Sequence, residues 1–184
     1  GQKASLPDPT AFAILMKKSL ILIWTITIST AFSAPVYDPS KPVSAAPPVV
    51  HDFVVHDGTR HRDLPVRIFL PDTSAPAPVI LFSHGLGGSN KGYSYLGIYW
   101  AARGYVVVCI QHPGSDEAIW KESVDFRKSM KQAASVENLV LRLKDIPAVL
   151  DQLAIWNAES GHPLSHRMYL EKTGMAGHSF GALT

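Results

Sequence analysis

The sequence predicts an α/β fold built on a mostly parallel sheet, and three observations carry that expectation. Two continuous apolar runs, residues 79–82 and 105–110, have the length and composition of strands buried on both faces. Segments that read as helices follow these runs, so strand and helix alternate along the chain. Two β-rich segments, 49–55 and 66–70, precede them with Asp57-Gly58 as a turn signal between, which predicts an antiparallel N-terminal strand pair.

The elements follow in order. Pro71 stops the second strand, and Pro76 and Pro78 bound the loop before the run at 79–82. A glycine-rich turn comes next, then a helix over about 92–103 that Gly104 ends before the strand 105–110. Residues 111–130 have no clear period. Beyond them Val136, Leu139, Val140, Leu143, Ile146, Val149, Leu150 and Leu153 fall at helical spacing, with Glu137, Arg142, Lys144 and Asp151 as the polar residues between. Pro147 predicts a kink, or a helix restart after Asp145. A loop around Gly161, His162 and Pro163 precedes a short strand ending near His178.

The chain has 184 residues, enough for one domain with a core, and a net charge of +2. Residues 1–34 carry Lys3, Lys17 and Lys18 against Asp8, which leaves 14 basic and 14 acidic groups elsewhere. No basic run interleaved with aromatics points to nucleic acid. Cys109 is the single cysteine, which excludes an internal disulfide or a cysteine metal cluster, and its place in an apolar strand reads as a small buried hydrophobe. No histidine and carboxylate cluster has metal-ligand spacing, so neither metal nor other cofactor is expected. His51, His56, His61, His162 and His166 read as exposed loop or strand residues, and Trp100, Trp120 and Trp156 as packing residues, with an acyl-pocket wall as the alternative for Trp120.

From Met16 the chain reads as an export signal: Lys17 and Lys18, an apolar stretch over 20–28, then small residues at Ala31 and Ser33 that suit cleavage after Ser33. The expected organisation is an upstream extension at 1–15, a signal peptide at 16–33, a proline-rich linker at 34–48 and a folded domain from 49 to 184. That organisation implies a secreted or periplasmic protein, with an uncleaved membrane anchor as the alternative.

The chemistry-bearing motif is Gly177-His178-Ser179-Phe180-Gly181. A serine hydroxyl is a weak nucleophile unless the backbone holds it out and a base lies beside it. The G-x-S-x-G pattern supplies the first condition through a sharp strand-to-helix turn, the nucleophile elbow, so Ser179 is the expected nucleophile. The segment His84-Gly85-Leu86-Gly87-Gly88, directly after the strand 79–82, has the place and composition of an oxyanion loop. The main-chain N–H groups of Leu86 and Phe180 are the expected donors to the oxyanion. His84 and His178 are expected to shape the two turns. His112 is a candidate base at the end of its strand, against a packing or loop role. Asp116 is expected to cap a loop, with a substrate-side acid as the alternative.

On residues 83–88, the strand ending at His112, and residues 177–182, the chain resembles the α/β-hydrolase superfamily. Within it the resemblance is to the predicted dienelactone hydrolase group and the platelet-activating-factor acetylhydrolases, which share the wording of both motifs. The similarity runs from about Val50 to the last residue. It implies hydrolysis of carboxylic esters with Ser179 as nucleophile, through an acyl-enzyme that needs no cofactor. The export signal makes the expected substrates exogenous esters, whether short acyl esters, lipids or polyesters. True dienelactone hydrolases use a cysteine where this chain has Ser179, which argues against dienelactone as substrate. The triad order in such folds is Ser, acid, His, and neither acid nor histidine follows Ser179 in this sequence. The expectation is therefore the N-terminal part of a longer enzyme, truncated after the elbow and inactive as it stands. Rival readings are a phospholipid acetylhydrolase or lipase, and a non-catalytic binding protein of the same fold.

Overall fold

A computed structural model describes residues 38, 41, 42, 44–121 and 125–184; the expected extension, signal peptide and most of the linker lie outside them. The described chain carries five strands and four helices: β1 (Val49–Asp57), β2 (Arg62–Leu70), β3 (Ala77–Ser83), α1 (Ser94–Ala101), β4 (Val106–Ile110), α2 (Ala118–Lys121), α3 (Phe126–Ala133), α4 (Val136–Ala158) and β5 (Met168–Gly177). A 3-10 turn, Ser179–Leu183, follows β5. The sheet order is β1-β2-β4-β3-β5. The β1–β2 and β2–β4 pairs are antiparallel, and β3 is parallel to both β4 and β5. Only β2 therefore runs against the other four, which is the mostly parallel sheet with an antiparallel opening pair.

Burial explains the strands. Every residue of β4 is buried: Val106, Val108 and Ile110 join the larger core with Val149 and Leu153 of α4, while Val107 and Cys109 face Phe69, Phe82 and Ala101 on the other side. A strand covered on both faces has no polar alternation to show, hence the continuous apolar run. Gly97 of α1 lies where a Cβ would meet the Phe69 ring, so the helix sits directly on the sheet. Gly104 ends the following turn with φ +86°, a conformation that suits glycine.

Several boundaries differ from the sequence expectation. β2 begins at Arg62 rather than 66, because all nine residues of β1 find partners from Leu70 back to Arg62. Pro65 is tolerated inside it, and its carbonyl accepts a hydrogen bond from the Gln111 N–H at 2.8 Å. α1 is shorter than 92–103. β5 begins at Met168, and its register against β3 jumps so that Leu170, Glu171 and Lys172 are looped out between Tyr169 and Thr173. The stretch 111–130, which has no clear period, contains α2 and the first residues of α3.

α4 runs through Pro147 as one helix, so of the two alternatives, a kink or a restart, the restart does not occur. Proline removes the donor that would reach the Leu143 carbonyl, and both residues are exposed, where water can satisfy that carbonyl. The buried stripe of α4 is Arg142, Asp145, Val149 and Leu153, while Val136, Val140 and Leu143 are exposed. Arg142, one of the polar residues set between the apolar positions in the sequence, is fully buried. No helix among the described residues is long and apolar enough to cross a membrane.

Candidate active site

The register of the parallel strands builds the site. Ser83 at the end of β3 pairs with Ile110 at the end of β4 and with Gly177 at the end of β5. The three connections that leave these strands, beginning at His84, Gln111 and His178, therefore emerge along one carboxyl edge, where α/β sheets bind ligands.

Ser179 stands in the third connection, exposed, with φ +53°. A left-handed φ is costly for a serine, on the order of 1 kcal/mol or more, and persists only where the surroundings impose it. They do so through the flanking glycines. A Cβ on Gly177 would overlap the Gly181 backbone, and a Cβ on Gly181 would overlap the Ser83 carbonyl. The turn is tied down by His178 N–H donating to the Ser83 carbonyl at 3.1 Å and Gly181 N–H to the His178 carbonyl at 2.8 Å. The His178 ring meets the Tyr93 hydroxyl at Nδ1, 2.8 Å away.

The first connection is the glycine-rich loop. Gly85 lies against the elbow: a Cβ there would come within 2.9 Å of His178 Nδ1 and 3.4 Å of Ser179 Cβ. The loop is held on several sides. His84 Nδ1 lies 2.7 Å from the Gly85 carbonyl and donates to it, because His84 Nε2 accepts the His112 main-chain N–H at 3.1 Å. Gly88 N–H also donates to the Gly85 carbonyl at 3.0 Å, and Gly87 N–H to the Ser115 carbonyl at 2.9 Å. Trp120 Nε1–H donates to the Gly87 carbonyl at 2.7 Å. Gly87 has φ +71°, and a Cβ there would strike the Trp120 indole. Among the described residues, the Leu86 N–H between these anchors donates no hydrogen bond. The structure thus brings Ser179, its successor Phe180 and the Leu86 loop to one edge. Trp120 is about half exposed and is a strut of the loop rather than a core residue.

Beneath this edge lies a buried polar cluster. Ser83 Oγ is 3.0 Å from His112 Nε2, and His112 Nδ1 is 2.8 Å from Asp145 Oδ2. The carboxylate fixes the tautomer: Nδ1–H donates to Asp145, and Nε2 accepts from the Ser83 hydroxyl. Asp145 also accepts from Arg60 Nη1 at 2.8 Å and from Arg62 Nε at 2.9 Å and Nη2 at 3.2 Å. Ser83, His112 and Asp145 are each 0% exposed. Burial opposes ionisation of Asp145, but the hydrogen bonds from His112, Arg62 and Arg60 outweigh it and hold the carboxyl below its usual range. Burial likewise keeps His112 neutral, and it lowers His84 to about 3. Both ring nitrogens of His112 are engaged, so the candidate base is a buried support residue.

Other candidates settle as follows. Asp116 is buried, and among the described residues its side chain makes no cap. Its Oδ2 accepts from Gln111 Nε2 at 2.8 Å because the side chain turns back toward β4. Cys109 is buried, and burial pushes its thiol up to about 12, so it behaves as a small hydrophobe. His162 is not simply exposed: it stacks on Trp156 and leans on Phe53, which draws it onto the core surface. No group of three metal-ligating side chains occurs among the described residues.

Sequence reasoning missed Ser83, Arg142 and Asp145. For Arg142 and Asp145 the available signal was spacing: 142, 145, 149 and 153 form one helical stripe, and two charged residues on an otherwise apolar stripe mark a buried polar network.

Comparison with known proteins gives three results. A family model for platelet-activating factor acetylhydrolase, isoform II, matches residues 67–147, which span the glycine-rich loop, His112, Arg142 and Asp145. Platelet-activating factor acetylhydrolases of Canis lupus familiaris and Bos taurus are each 28% identical, over 61% of this chain and 32% of theirs. The chain thus spans about a third of the length of these relatives. Among solved structures, a ferulic acid esterase from Streptomyces cinnamoneus superposes with a TM-score of 0.59 at 20% identity, over 77% of this chain and 55% of that one. A protein described as a dienelactone hydrolase, from Klebsiella pneumoniae subsp. pneumoniae, gives 0.56 at 15% identity, over 72% and 50%. The chain has the α/β-hydrolase fold and is similar in sequence to the platelet-activating factor acetylhydrolases.

Proposed function

We propose that this chain supplies the nucleophile and the oxyanion hole of a secreted serine carboxylic-ester hydrolase. One observation carries the reading: Ser179 is exposed at φ +53°, on a turn that only Gly177 and Gly181 permit, beside Gly85 of the glycine-rich loop. In this reading Ser179 Oγ attacks the ester carbonyl, and the Leu86 and Phe180 N–H groups receive the negative charge that develops on the carbonyl oxygen. Each such donor is worth about 3–4 kcal/mol of barrier. The alcohol leaves, and water releases the acyl group from Ser179. The Ser179 proton passes to a histidine oriented by a carboxylate. No such pair reaches Ser179 among the described residues. In the Ser, acid, His order such a pair belongs later in the full protein than Ser179, and the chain covers 32% of the length of its relatives.

The sequence similarity to platelet-activating factor acetylhydrolases favours a short acyl ester, including one on a phospholipid, as the substrate class. The lysine-flanked apolar segment at 16–33 supports export to where exogenous esters are met. The test is hydrolysis by the full protein of p-nitrophenyl esters from acetyl to dodecanoyl, with labelling by a fluorophosphonate. Ser179→Ala should abolish labelling and lower kcat by at least about 1000-fold. Hydrolysis undiminished in that variant would overturn the proposal. A rate falling steeply beyond short acyl chains separates an acetylhydrolase from a lipase.

A further inference from the structure

We propose that Arg142 is a positioning residue that sets the spacing between the two halves of the oxyanion hole. The inference rests on the reading of Leu86 and Phe180 as the donors. Its basis is that one buried guanidinium touches the supports of both. Arg142 is 0% exposed. Its Nη2 donates to the main-chain carbonyl of His84, two residues before Leu86. Its Nη1 donates to Ser115 Oγ at 2.9 Å, and the Ser115 carbonyl in turn holds the Gly87 N–H, one residue after Leu86. The first donor is thus bracketed on both sides by groups that depend on Arg142.

The second half is reached by the same side chain. Nε donates to Thr184 Oγ1 at 3.0 Å, and Cζ lies 5.0 Å from the centroid of the Phe180 ring. The elbow and its following turn are therefore fastened to the fork that fastens the glycine-rich loop. A planar guanidinium with donors in fixed directions holds three acceptors at fixed mutual angles, which a lysine ammonium on a flexible stem cannot. The charge acts in the same sense. Burial lowers Arg142 to about 10, which leaves it cationic at neutral pH, and a fixed positive charge in a low-dielectric interior favours negative charge at the adjoining edge.

The test is Arg142→Lys in the full protein, read by hydrogen exchange and by kinetics. Exchange should quicken together in 84–88 and in 177–183 while β4 keeps its protection. On a short p-nitrophenyl ester, kcat should fall by about 100-fold with KM within about twofold, as for a loss confined to the transition state. Loosening of one segment alone, of neither, or a loss carried by KM would overturn the proposal. If Arg142→Lys fails to fold by circular dichroism, Phe180→Leu decides, because it keeps the main-chain donor and removes the ring above the guanidinium. It should lower kcat by about tenfold at constant KM, and an unchanged kcat would overturn the proposal. If Ser179→Ala remains active, the assignment of the nucleophile falls, while the exchange arm still judges the clamp.

Discussion

Two serines at the same sheet edge show opposite halves of what a nucleophile needs. Ser83 has the hydrogen-bonded chain of a triad, to His112 at 3.0 Å and on to Asp145 at 2.8 Å, yet all three residues are sealed from solvent. Its backbone is a regular strand. Ser179 has no histidine or carboxylate hydrogen-bonded to it among the described residues, but it is exposed on a left-handed turn between two glycines. The first arrangement stabilises: the serine hydroxyl and the carboxylate satisfy a neutral histidine that burial would otherwise leave with unmet hydrogen bonds. The second is costly for the backbone and open to a substrate, as reactive centres are. Side-chain proximity alone would select Ser83, whereas access and backbone conformation favour Ser179, the nucleophile we propose.

Alanine replacement at each serine in turn should separate the two arrangements by the largest effect. Ser179→Ala should remove ester hydrolysis, whereas Ser83→Ala should retain kcat within about threefold, because the Ser83 main-chain carbonyl that holds the elbow remains. Steady-state rates on one ester distinguish the two, and equal losses would make the buried relay part of the chemistry.

A second test sharpens the buried half. Asp145→Asn leaves Arg60 and Arg62 without their shared buried carboxylate, and chemical denaturation should show a loss of about 3–5 kcal/mol. A loss below about 1 kcal/mol would mean that solvent already screens the cluster.

Acid should act on the same region. His84 is depressed to about 3, so the folded protein refuses a proton that the unfolded chain accepts below about 6.5. Stability is then complete above the unfolded value and declines as pH falls from there toward 3, by on the order of 4 kcal/mol. The depressed Asp145 adds to the loss at the acidic end, since protonation abolishes its ion pairs. Urea midpoints at pH 8, 6 and 4.5 should fall in that order, and a flat series would contradict the buried neutral state of His84. The smallest effect is the stability of Ser83→Ala, which strips His112 Nε2 of its donor and should cost about 1–3 kcal/mol by urea titration.

Much of the fold was legible because the relevant signals are local. Strand β4 is a continuous apolar run since both its faces are covered, β3 is an apolar run with Ile80 half-buried, and the two glycine motifs lie where the chain must turn without room for a Cβ. The start of β2 was not legible, because Arg62, Asp63 and Pro65 do not resemble a strand and are recruited by the partner strand β1. Asp116 offered the sequence pattern of a cap, but the side chain found Gln111 instead. Trp120 read as packing, yet its indole N–H reaches the Gly87 carbonyl.

Residue identity and order alone determined the α/β alternation, the elbow at Ser179, the glycine-rich loop and the inert, buried character of Cys109. Each of these depends on a few consecutive residues and on whether the chain there meets solvent or core. Tertiary structure alone decided that His112 serves Ser83 and Asp145 rather than Ser179, and that Arg142 lies beneath both motifs. Those contacts join residues 29, 33 and 58 positions apart. Such partners are selected by strand register and by the stripe of α4 that faces the sheet. No local pattern in the chain encodes that selection, because a charged residue on a helix reads as solvent-facing until the fold supplies its buried partners.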